Sequence, residues 1–411
     1  MDFQDTPREA EFRAKARAWI AVNAPQELHD ELARAPFGHI DLVGRSALAA
    51  SKDWHRRKAA GGWACLTWPR DYGGQGASAI DNVIWHQEEG VYSKLAGPFM
   101  VAQGSFGPTL IAWGSEAQKQ VHLPRIVAGE EVWCQLFSEP GAGSDLAGVR
   151  TRAVPDGEGW LINGQKMWSS GAHEADFGVL LVRTNPDVPK HKGLTMFLLD
   201  MHAPGVEVRP IRQITNQSHV NEVYMTDVRL ADAHRLGPVD KGWQVALTML
   251  MNERNSIGNQ MQTGFEEVFS LAARLPQGDG VALDDPAVVS RLAELAARAN
   301  GLKYTNYRIQ TALSQGDEPG PELSIMKLVA ASTMQEAAMF ALDLQGPAGM
   351  VMDMTEDGDD LFQMMLLRSA GARIEGGTDE IMRTIIAERV LGLPQDMRAD
   401  KDVPFSAIPT A

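Results

Sequence analysis

The first third of the chain has the spacing of hydrophobic residues that is typical of helices. The Thr6–Glu9 segment supplies a capping residue, a proline for the first helical position and a glutamate that completes a capping box. Apolar residues then recur on one helical face from Phe12 to Ile20. The same period recurs in three further segments, 46–60, 78–92 and 115–128. We therefore expect residues 1–131 to form an all-helical domain.

The pattern changes at about residue 132 to short runs rich in β-branched and aromatic residues. These runs are 132–137, 160–162, 166–169, 177–183, 194–200, 206–210 and 222–228. The dipeptide Asn163-Gly164 lies between two of them and is favoured in two-residue hairpins, because both central positions of a type I′ turn need positive φ. The sequence predicts a β domain over 132–240, with a hairpin that turns at this dipeptide.

Helical spacing returns after Gly242 in long segments. They are 243–275, 285–314, 322–345 and 371–391, and the stretches 276–284 and 315–321 are predicted to be loops. Residues 241–395 should form a bundle of antiparallel helices, and 396–411 a polar, weakly ordered tail. The predicted fold class is therefore mainly α with a central β domain.

Charge and cysteine content limit the classes of function. Asp and Glu number 53 against 38 Lys and Arg, which disfavours a nucleic-acid surface. The densest basic run, His55 to Lys58, is expected to be a solvated helix face. Two cysteines favour a reducing compartment, and no apolar run approaches the roughly 18 residues that span a bilayer. We expect a cytoplasmic protein with no membrane, nucleic-acid or metal partner.

The most informative segment is Phe137–Asp145, which closes a predicted strand with small residues and hydroxyls. Gly141 and Gly143 would let the backbone approach a ligand, while Ser138 and Ser144 could hydrogen-bond it. The segment lacks a complete G-x-G-x-x-G dinucleotide fingerprint, and its spacing is equally compatible with an ordinary turn. These residues by themselves leave the function open.

Several motifs in order resemble the signatures of the acyl-CoA dehydrogenase family. They are WPRDYGGQG at 68–76, SEPGAGSD at 138–145, KMWSS at 166–170 and EGGTDEIMR at 375–383. The resemblance spans nearly the whole chain. It implies a helical domain, a β-barrel-like domain and a C-terminal four-helix bundle. It also implies FAD-dependent dehydrogenation of an acyl-CoA thioester to the 2-enoyl-CoA, with proton abstraction at carbon 2 and hydride transfer from carbon 3 to flavin N5.

The resemblance also implies which residues hold the flavin. Phe137 and Ser138 would border its ring, with Ser138 bonding the pyrimidine edge. Trp168 would pack on the ring and Ser170 would bond near N5, although from composition alone Trp168 would be assigned to the core. Ser144 resembles a residue at the cofactor that also meets the coenzyme A chain. Further contacts with the flavin nucleotide are implied for Gly346, Thr378 and Glu380.

Proton abstraction next to a thioester needs a carboxylate base. The position that carries it in many relatives is Gly376 here, which cannot accept a proton. Its backbone N–H, beside Gly377 in the substrate site, would still bind the thioester oxygen. Glu253, followed by Arg254, resembles the alternative placement of the base in isovaleryl- and long-chain-type enzymes, so we take Glu253 as the candidate base and Arg254 as a substrate contact. Glu375 is the rival, and a surface Glu253–Arg254 pair is the alternative interpretation.

Two segments depart from the family pattern where relatives contact FAD across subunits. Residues 275–284 lack the usual Arg and Phe-Gly, and Asp343 replaces a Gln. The resemblance still implies a homo-oligomer, a dimer or tetramer, with an electron-transfer flavoprotein as acceptor. Two alternatives stay open: a flavin monooxygenase or oxidase on the same fold, and a non-catalytic supporting subunit of a heteromeric dehydrogenase.

Overall fold

The computed structural model describes residues 5–34, 40, 42, 44–257, 263–315, 320–321, 323–352, 360–395, 397 and 400–409. These residues form two compact units. The first unit contains the chain as far as Ser256 together with the C-terminal segment, and the second contains the helices that follow, up to Gln395.

Six α-helices precede the sheet in the described part of the chain. They are α1 (Pro7–Asn23), α2 (His29–Arg34), α3 (Ala47–Ala60), α4 (Ala79–Glu89), α5 (Gly107–Trp113) and α6 (Glu116–Ala128). The predicted capping box is confirmed, since Thr6 and Glu9 exchange hydrogen bonds between side chain and backbone. Ser46 and Ser115, the first residues of two predicted helical segments, are the N-caps of α3 and α6.

The basic run at 55–58 does not form a solvated face, and this prediction was wrong. His55 and Lys58 lie three residues apart on the same side of α3 and are buried, while the two arginines between them are exposed. Lys58 is compensated by a buried carboxylate, because its Nζ lies 2.9 Å from Oε1 of Glu89. An ion pair between residues this far apart in sequence cannot be predicted from the local pattern of charges.

Eight strands form one sheet. They are β1 (Trp133–Leu136), β2 (Arg152–Asp156), β3 (Gly159–Ser170), β4 (Phe177–Arg183), β5 (Leu194–Asp200), β6 (Val206–Ile211), β7 (Val220–Ala231) and β8 (Arg235–Leu236). Their order is β6-β7-β3-β2-β4-β5-β8, and β1 pairs in parallel with β4. The predicted strands at 177–183 and 194–200 are confirmed as β4 and β5.

The hairpin predicted at Asn163-Gly164 is wrong. Strand β3 runs through this dipeptide, and the chain turns between β2 and β3 at Gly157, whose φ is +61°. The Asn163 side chain instead pairs across the sheet: its Nδ2 donates to Oδ1 of Asp227, and its Oδ1 accepts from the Asp227 N–H. The β3–β7 register shifts between Ile162 and Gly164, so the dipeptide marks a bulge and not a turn.

The sheet and the N-terminal helices share one hydrophobic core. Phe106 stacks on Trp133 with ring centroids 4.0 Å apart, and Trp133 stacks on Phe177 at 4.9 Å. A second core lies among the alternate residues of the same strands. Residues 131 and 132 therefore join two regions that are packed together.

The helices after the sheet are α7 (Gly242–Ile257), α8 (Phe265–Ala272), α9 (Pro286–Ser314), α10 (Leu323–Gln345), α11 (Leu361–Ala372) and α12 (Asp379–Ile385). The predicted loop at 276–284 contains a short hairpin of β9 (Pro276–Gln277) and β10 (Gly280–Val281). Single helices over 243–275 and 371–391 are corrected. Gly264 at φ +75° interrupts the first, and Gly376 and Gly377 interrupt the second.

The C-terminal segment is packed against the sheet unit. Pro404 pairs with Pro189 in an antiparallel bridge, and the Phe405 N–H donates to the Val188 carbonyl over 2.9 Å. The Phe405 side chain is buried. The expectation of a weakly ordered tail was therefore wrong for residues 400–409. Among the described helices, none has both the length and the hydrophobicity that crossing a membrane requires.

Candidate active site

The loop that follows β1 is held by a buried ion pair. Nζ of Lys166, on β3, donates to Oε1 of Glu139 over 2.8 Å and to the Phe137 carbonyl over 2.9 Å. The same Glu139 carboxylate accepts the backbone N–H groups of Arg150, at 2.6 Å, and Thr151, at 2.9 Å. One carboxylate and one ammonium therefore tie together both ends of the segment 137–151, which we call the ligand loop.

Burial and charge act in opposite directions on this pair. Burial lowers the pKa of Lys166 to about 8, against the attraction of Glu139. Burial by itself would raise the pKa of Glu139, but the Lys166 ammonium and the hydrogen bonds outweigh it and hold that pKa below its ordinary value. Both groups are therefore charged at neutral pH, so the tie between the ends of the ligand loop is ionic.

Trp168 has an unusual exposure and an unusual backbone. Its side chain is 55% exposed, and its φ is +62°, a region that non-glycine residues seldom adopt. The preceding residue, Met167, donates its N–H to the Ser138 carbonyl over 2.9 Å, so Trp168 lies beside the ligand loop. A strained backbone that presents an exposed aromatic side chain is a feature of ligand sites. Ser170, two residues further on, is also exposed.

The central part of the ligand loop leaves its backbone open. A Cβ built on Gly141 or Gly143 would meet no atom within 4 Å, and Ser144 is exposed. The loop folds back on itself through paired backbone hydrogen bonds between Glu139 and Ala142, each 3.0 Å long. An exposed indole, accessible hydroxyls and open glycine backbone fit a flat ring system that carries polar edges and a phosphate chain, as FAD does.

Helix α7 brings the candidate base to β1. Nε2 of Gln135, two residues before Phe137, donates to Oε2 of Glu253 over 3.4 Å. Glu253 is half-buried, and Met249, one helical turn before it, lies fully inside the core. The carboxylate is therefore positioned next to the strand that leads into the ligand loop. The side chain of the predicted substrate contact Arg254 lies outside the described residues.

The two glycines of the C-terminal motif lie in a turn between α11 and α12. Gly376 and Gly377 have φ values of +63° and +103°, which side chains rarely permit. Arg373 closes the turn on Asp379: its carbonyl accepts the Asp379 N–H, and its Nε donates to Oδ2 over 2.6 Å. The backbone at Gly376 is exposed, and a Cβ built there would meet no atom within 4 Å.

The other predicted residues of the second unit have different surroundings. Thr378 is the N-cap of α12, so its hydroxyl already accepts a backbone N–H of the first turn. Glu380 is exposed in that turn, and Gly346, at φ +60°, begins the 3₁₀ turn after α10. The rival base Glu375 is engaged elsewhere, because Arg368 donates to its carboxylate over 2.5 Å.

The structure thus brings together Phe137, Ser138, Trp168 and Ser170 on adjacent segments of the first unit. The sequence did not predict the Glu139–Lys166 pair that positions them, although Glu139 lies in the motif at 138–145 and Lys166 in the motif at 166–170. Their signal was chemical: a carboxylate just after β1 and an amine inside β3 need a partner if they are buried. Gln135 carried no comparable signal.

Models of one family match three consecutive parts of the chain. The acyl-CoA dehydrogenase N-terminal domain matches residues 6–130, the middle domain 134–228 and the C-terminal domain 240–391. Acyl-CoA dehydrogenase IpdE1 of Mycobacterium tuberculosis is 37% identical over 398 residues, which cover 94% of this chain and 98% of that protein.

Two solved structures are similar over almost the whole chain. The Tcur3481-Tcur3483 steroid ACAD matches with a TM-score of 0.79 and 27% identity, covering 96% of this chain and 100% of that one. The ChsE4-ChsE5 complex from Mycobacterium tuberculosis matches with a TM-score of 0.79 and 30% identity, with the same coverage of 96% and 100%. The chain therefore belongs to the acyl-CoA dehydrogenase family, and it is an oxidoreductase that has FAD as its cofactor.

Proposed function

We propose that this protein removes hydrogen from carbons 2 and 3 of an acyl-CoA thioester, with Glu253 as the general base. The observation that carries the proposal is the hydrogen bond from Gln135 Nε2 to Glu253 Oε2, 3.4 Å long. This contact supports the proposal because it joins the carboxylate of Glu253, on α7, to the strand that continues into Phe137 and Ser138. FAD, when bound, supplies the acceptor for the hydride. Glu253 takes the proton next to the thioester carbonyl, which is weakly acidic and needs a positioned base.

The other carboxylate near the family motif is a poorer base. Glu375 forms an ion pair with Arg368, and its neighbour at the common base position is Gly376. The exposed N–H of Gly376 is suited to bind the thioester oxygen, because a backbone donor stabilises negative charge on an enolate without a side chain. Trp168, Ser138 and Ser170 would hold the flavin ring.

A bulky, ring-bearing acyl group is the substrate class that we propose. Glycine at residue 376 removes the side chain that occupies this position in many relatives, which leaves room for a wide acyl group. One similar structure is described as a steroid ACAD. Anaerobic mixing of the yellow protein with straight, branched and ring-bearing acyl-CoA thioesters should bleach the flavin absorbance, fastest with the ring-bearing thioesters. A panel that never reduces the flavin would contradict the dehydrogenase assignment, and flavin reduced fastest by a straight chain would contradict the substrate class.

Glu253→Gln tests the base. The amide is nearly isosteric, so FAD and substrate should still bind, while flavin reduction should slow by about 10²–10⁴-fold, the usual contribution of a positioned base. Stopped-flow absorbance measures the rate, and Glu375→Gln is the matched control, expected to react like the unchanged protein. If Glu375→Gln is slow and Glu253→Gln is fast, the wrong carboxylate has been assigned.

We also propose that the protein works as an oligomer and passes its electrons to an electron-transfer flavoprotein. Exposed apolar side chains in the second unit favour association, for example Met350, 85% exposed, Leu391, 66%, and Ile374, 65%. Light scattering should report a dimer or tetramer. Both similar structures are described by two protein names, so binding of a second, different chain is the alternative result. A stable monomer would contradict both.

A further inference from the structure

The C-terminal segment 400–409 lies beyond residue 391, where the C-terminal family model ends, yet it contacts the part of the molecule that holds the ligand loop. The Phe405 ring lies over the guanidinium of Arg183, whose Cζ is 3.8 Å from the ring centroid. The Cζ of Arg150 lies 5.1 Å from the same centroid. Arg150 is itself a member of the ligand loop.

Arg183 is a buried cation held mainly by carbonyl groups. One of its terminal nitrogens donates to the carbonyls of Ala147 and Val149, and the other donates to the carbonyl of Lys190. Its Nε has no hydrogen-bond partner among the described residues. The face of Phe405 therefore supplies a favourable contact for a desolvated guanidinium and shields it from water. Because Arg183 binds the carbonyls of Ala147 and Val149, the contact with Phe405 also stabilises residues 147–149 of the ligand loop.

Lys190 forms a second connection between the two segments. Its Nζ lies 2.8 Å from Oδ2 of Asp145 and 2.5 Å from Oδ2 of Asp400. Asp145 directly follows Ser144 in the ligand loop. Both cations that fix residues 145–149 therefore also contact the C-terminal segment. The Glu139–Lys166 pair then fixes the two ends of the same loop.

We infer that residues 400–409 support the ligand loop through the cations that contact it, and that Phe405 is a positioning residue for FAD binding. The segment holds Arg183 and Lys190, and these two cations hold the ligand loop in the conformation that FAD requires. This inference rests on the proposed role of the ligand loop in the dehydrogenase. It assigns a role in cofactor binding to a part of the chain that lies outside the matched family domains.

Phe405→Ala should raise the Kd for FAD by about tenfold, the size expected for loss of a desolvated cation–π contact. The Kd is measured by quenching of flavin fluorescence as FAD is added to the apoprotein. The effect should appear in the Kd for FAD, because Phe405 acts on the ligand loop and does not touch the reacting atoms. Hydrogen exchange followed by mass spectrometry should show faster exchange in peptide 138–151. Phe405→Trp, which keeps an aromatic face, should restore both values.

Asp402→Asn is the matched control, since Asp402 is an exposed residue of the same segment. Phe405→Leu keeps the apolar volume and loses the ring, so it replaces Phe405→Ala if that variant does not fold. The inference is overturned if the FAD Kd stays within twofold while exchange rises only in residues 400–409, or if Asp402→Asn has the same effect as Phe405→Ala. Failure of the proposed function would be distinct: the unchanged protein would then bind FAD without being reduced by any acyl-CoA.

Discussion

Two buried lysine–glutamate pairs in the first unit have the same chemistry and different neighbours. In the N-terminal helices, Lys58 Nζ lies 2.9 Å from Oε1 of Glu89. In the sheet, Lys166 Nζ lies 2.8 Å from Oε1 of Glu139. All four side chains are buried, so in each pair the attraction between the charges has to offset a large cost of desolvation.

The remaining donors distinguish the two pairs. Glu89 also accepts the indole N–H groups of Trp54, at 2.9 Å, and Trp85, at 3.1 Å, which lie on α3 and α4. Glu139 accepts backbone N–H groups of residues 150–151. The first pair therefore joins two helices, and the second joins two ends of one loop. The same interaction stabilises packing in one region and fixes a ligand-binding conformation in the other.

The largest effect is expected for Lys166→Met. The substitution leaves Glu139 buried without its cation, which should lower the free energy of unfolding by about 3–5 kcal/mol. The Phe137 carbonyl also loses its donor, so the Kd for FAD should rise by at least about tenfold, the factor that corresponds to one hydrogen bond to a charged group. Urea unfolding and flavin titration measure the two quantities.

The double variant Lys166→Met/Glu139→Gln separates these two effects. Removing the unpaired charge should restore part of the stability. FAD affinity should stay low, because an amide cannot accept both backbone N–H groups with the strength of a carboxylate. Unchanged FAD affinity in the single variant would show that this pair, like Lys58–Glu89, acts on packing alone.

Lys58→Met should produce the stability effect without the effect on the cofactor. It leaves Glu89 with two indole donors and the partly exposed His86 ring at 3.6 Å but without its lysine, so the free energy of unfolding should fall by about 3 kcal/mol. The Kd for FAD should stay within about twofold, because neither helix contributes to the ligand loop. If this variant loses FAD as readily as Lys166→Met does, both pairs act through global stability and the distinction between the regions fails.

Local signals explain which parts of the fold could be predicted. The caps at Ser46 and Ser115 and the Thr6–Glu9 capping box depend on contacts within four residues, so the sequence contains all the information that they need. Strands β4 and β5 were likewise predicted from continuous apolar runs. The prediction of a hairpin at Asn163-Gly164 was wrong because the turn preference of this dipeptide was overridden by the cross-strand pair of Asn163 with Asp227.

The sequence predicts the motifs of the candidate site but not the contacts that join them. The sequence indicates the segments 138–145 and 166–170 as a site, but the contact between Glu139 and Lys166 depends on the pairing of distant strands. The same is true of Phe405, a single aromatic residue in a polar segment that packs on Arg183. Pairs far apart in sequence cannot be derived from periodicity, which describes one element at a time.

The smallest expected effect concerns pH and belongs to the helical region. The ring of His55 stacks on Phe99 at 4.4 Å and donates from Nε2 to the Val127 carbonyl over 2.9 Å. Burial, reinforced by the nearby Lys58 ammonium and opposed by backbone hydrogen bonds with Val127 and Ile126 and by Glu89, lowers its pKa to about 4.

Between an ordinary histidine pKa of about 6.5 and this value, the unfolded chain binds a proton that the folded chain does not. Stability should therefore fall as the pH falls through this window, by about 1 kcal/mol at pH 5.5 relative to pH 7.5. Urea unfolding at the two pH values measures the change, and in His55→Gln, whose amide can still donate to Val127, this part of the slope should disappear. Protonation of His55 should not change the Kd for FAD, because this histidine lies on α3 with Lys58 and is not part of the ligand loop. A pH slope that persists unchanged in His55→Gln would assign the titration to another group.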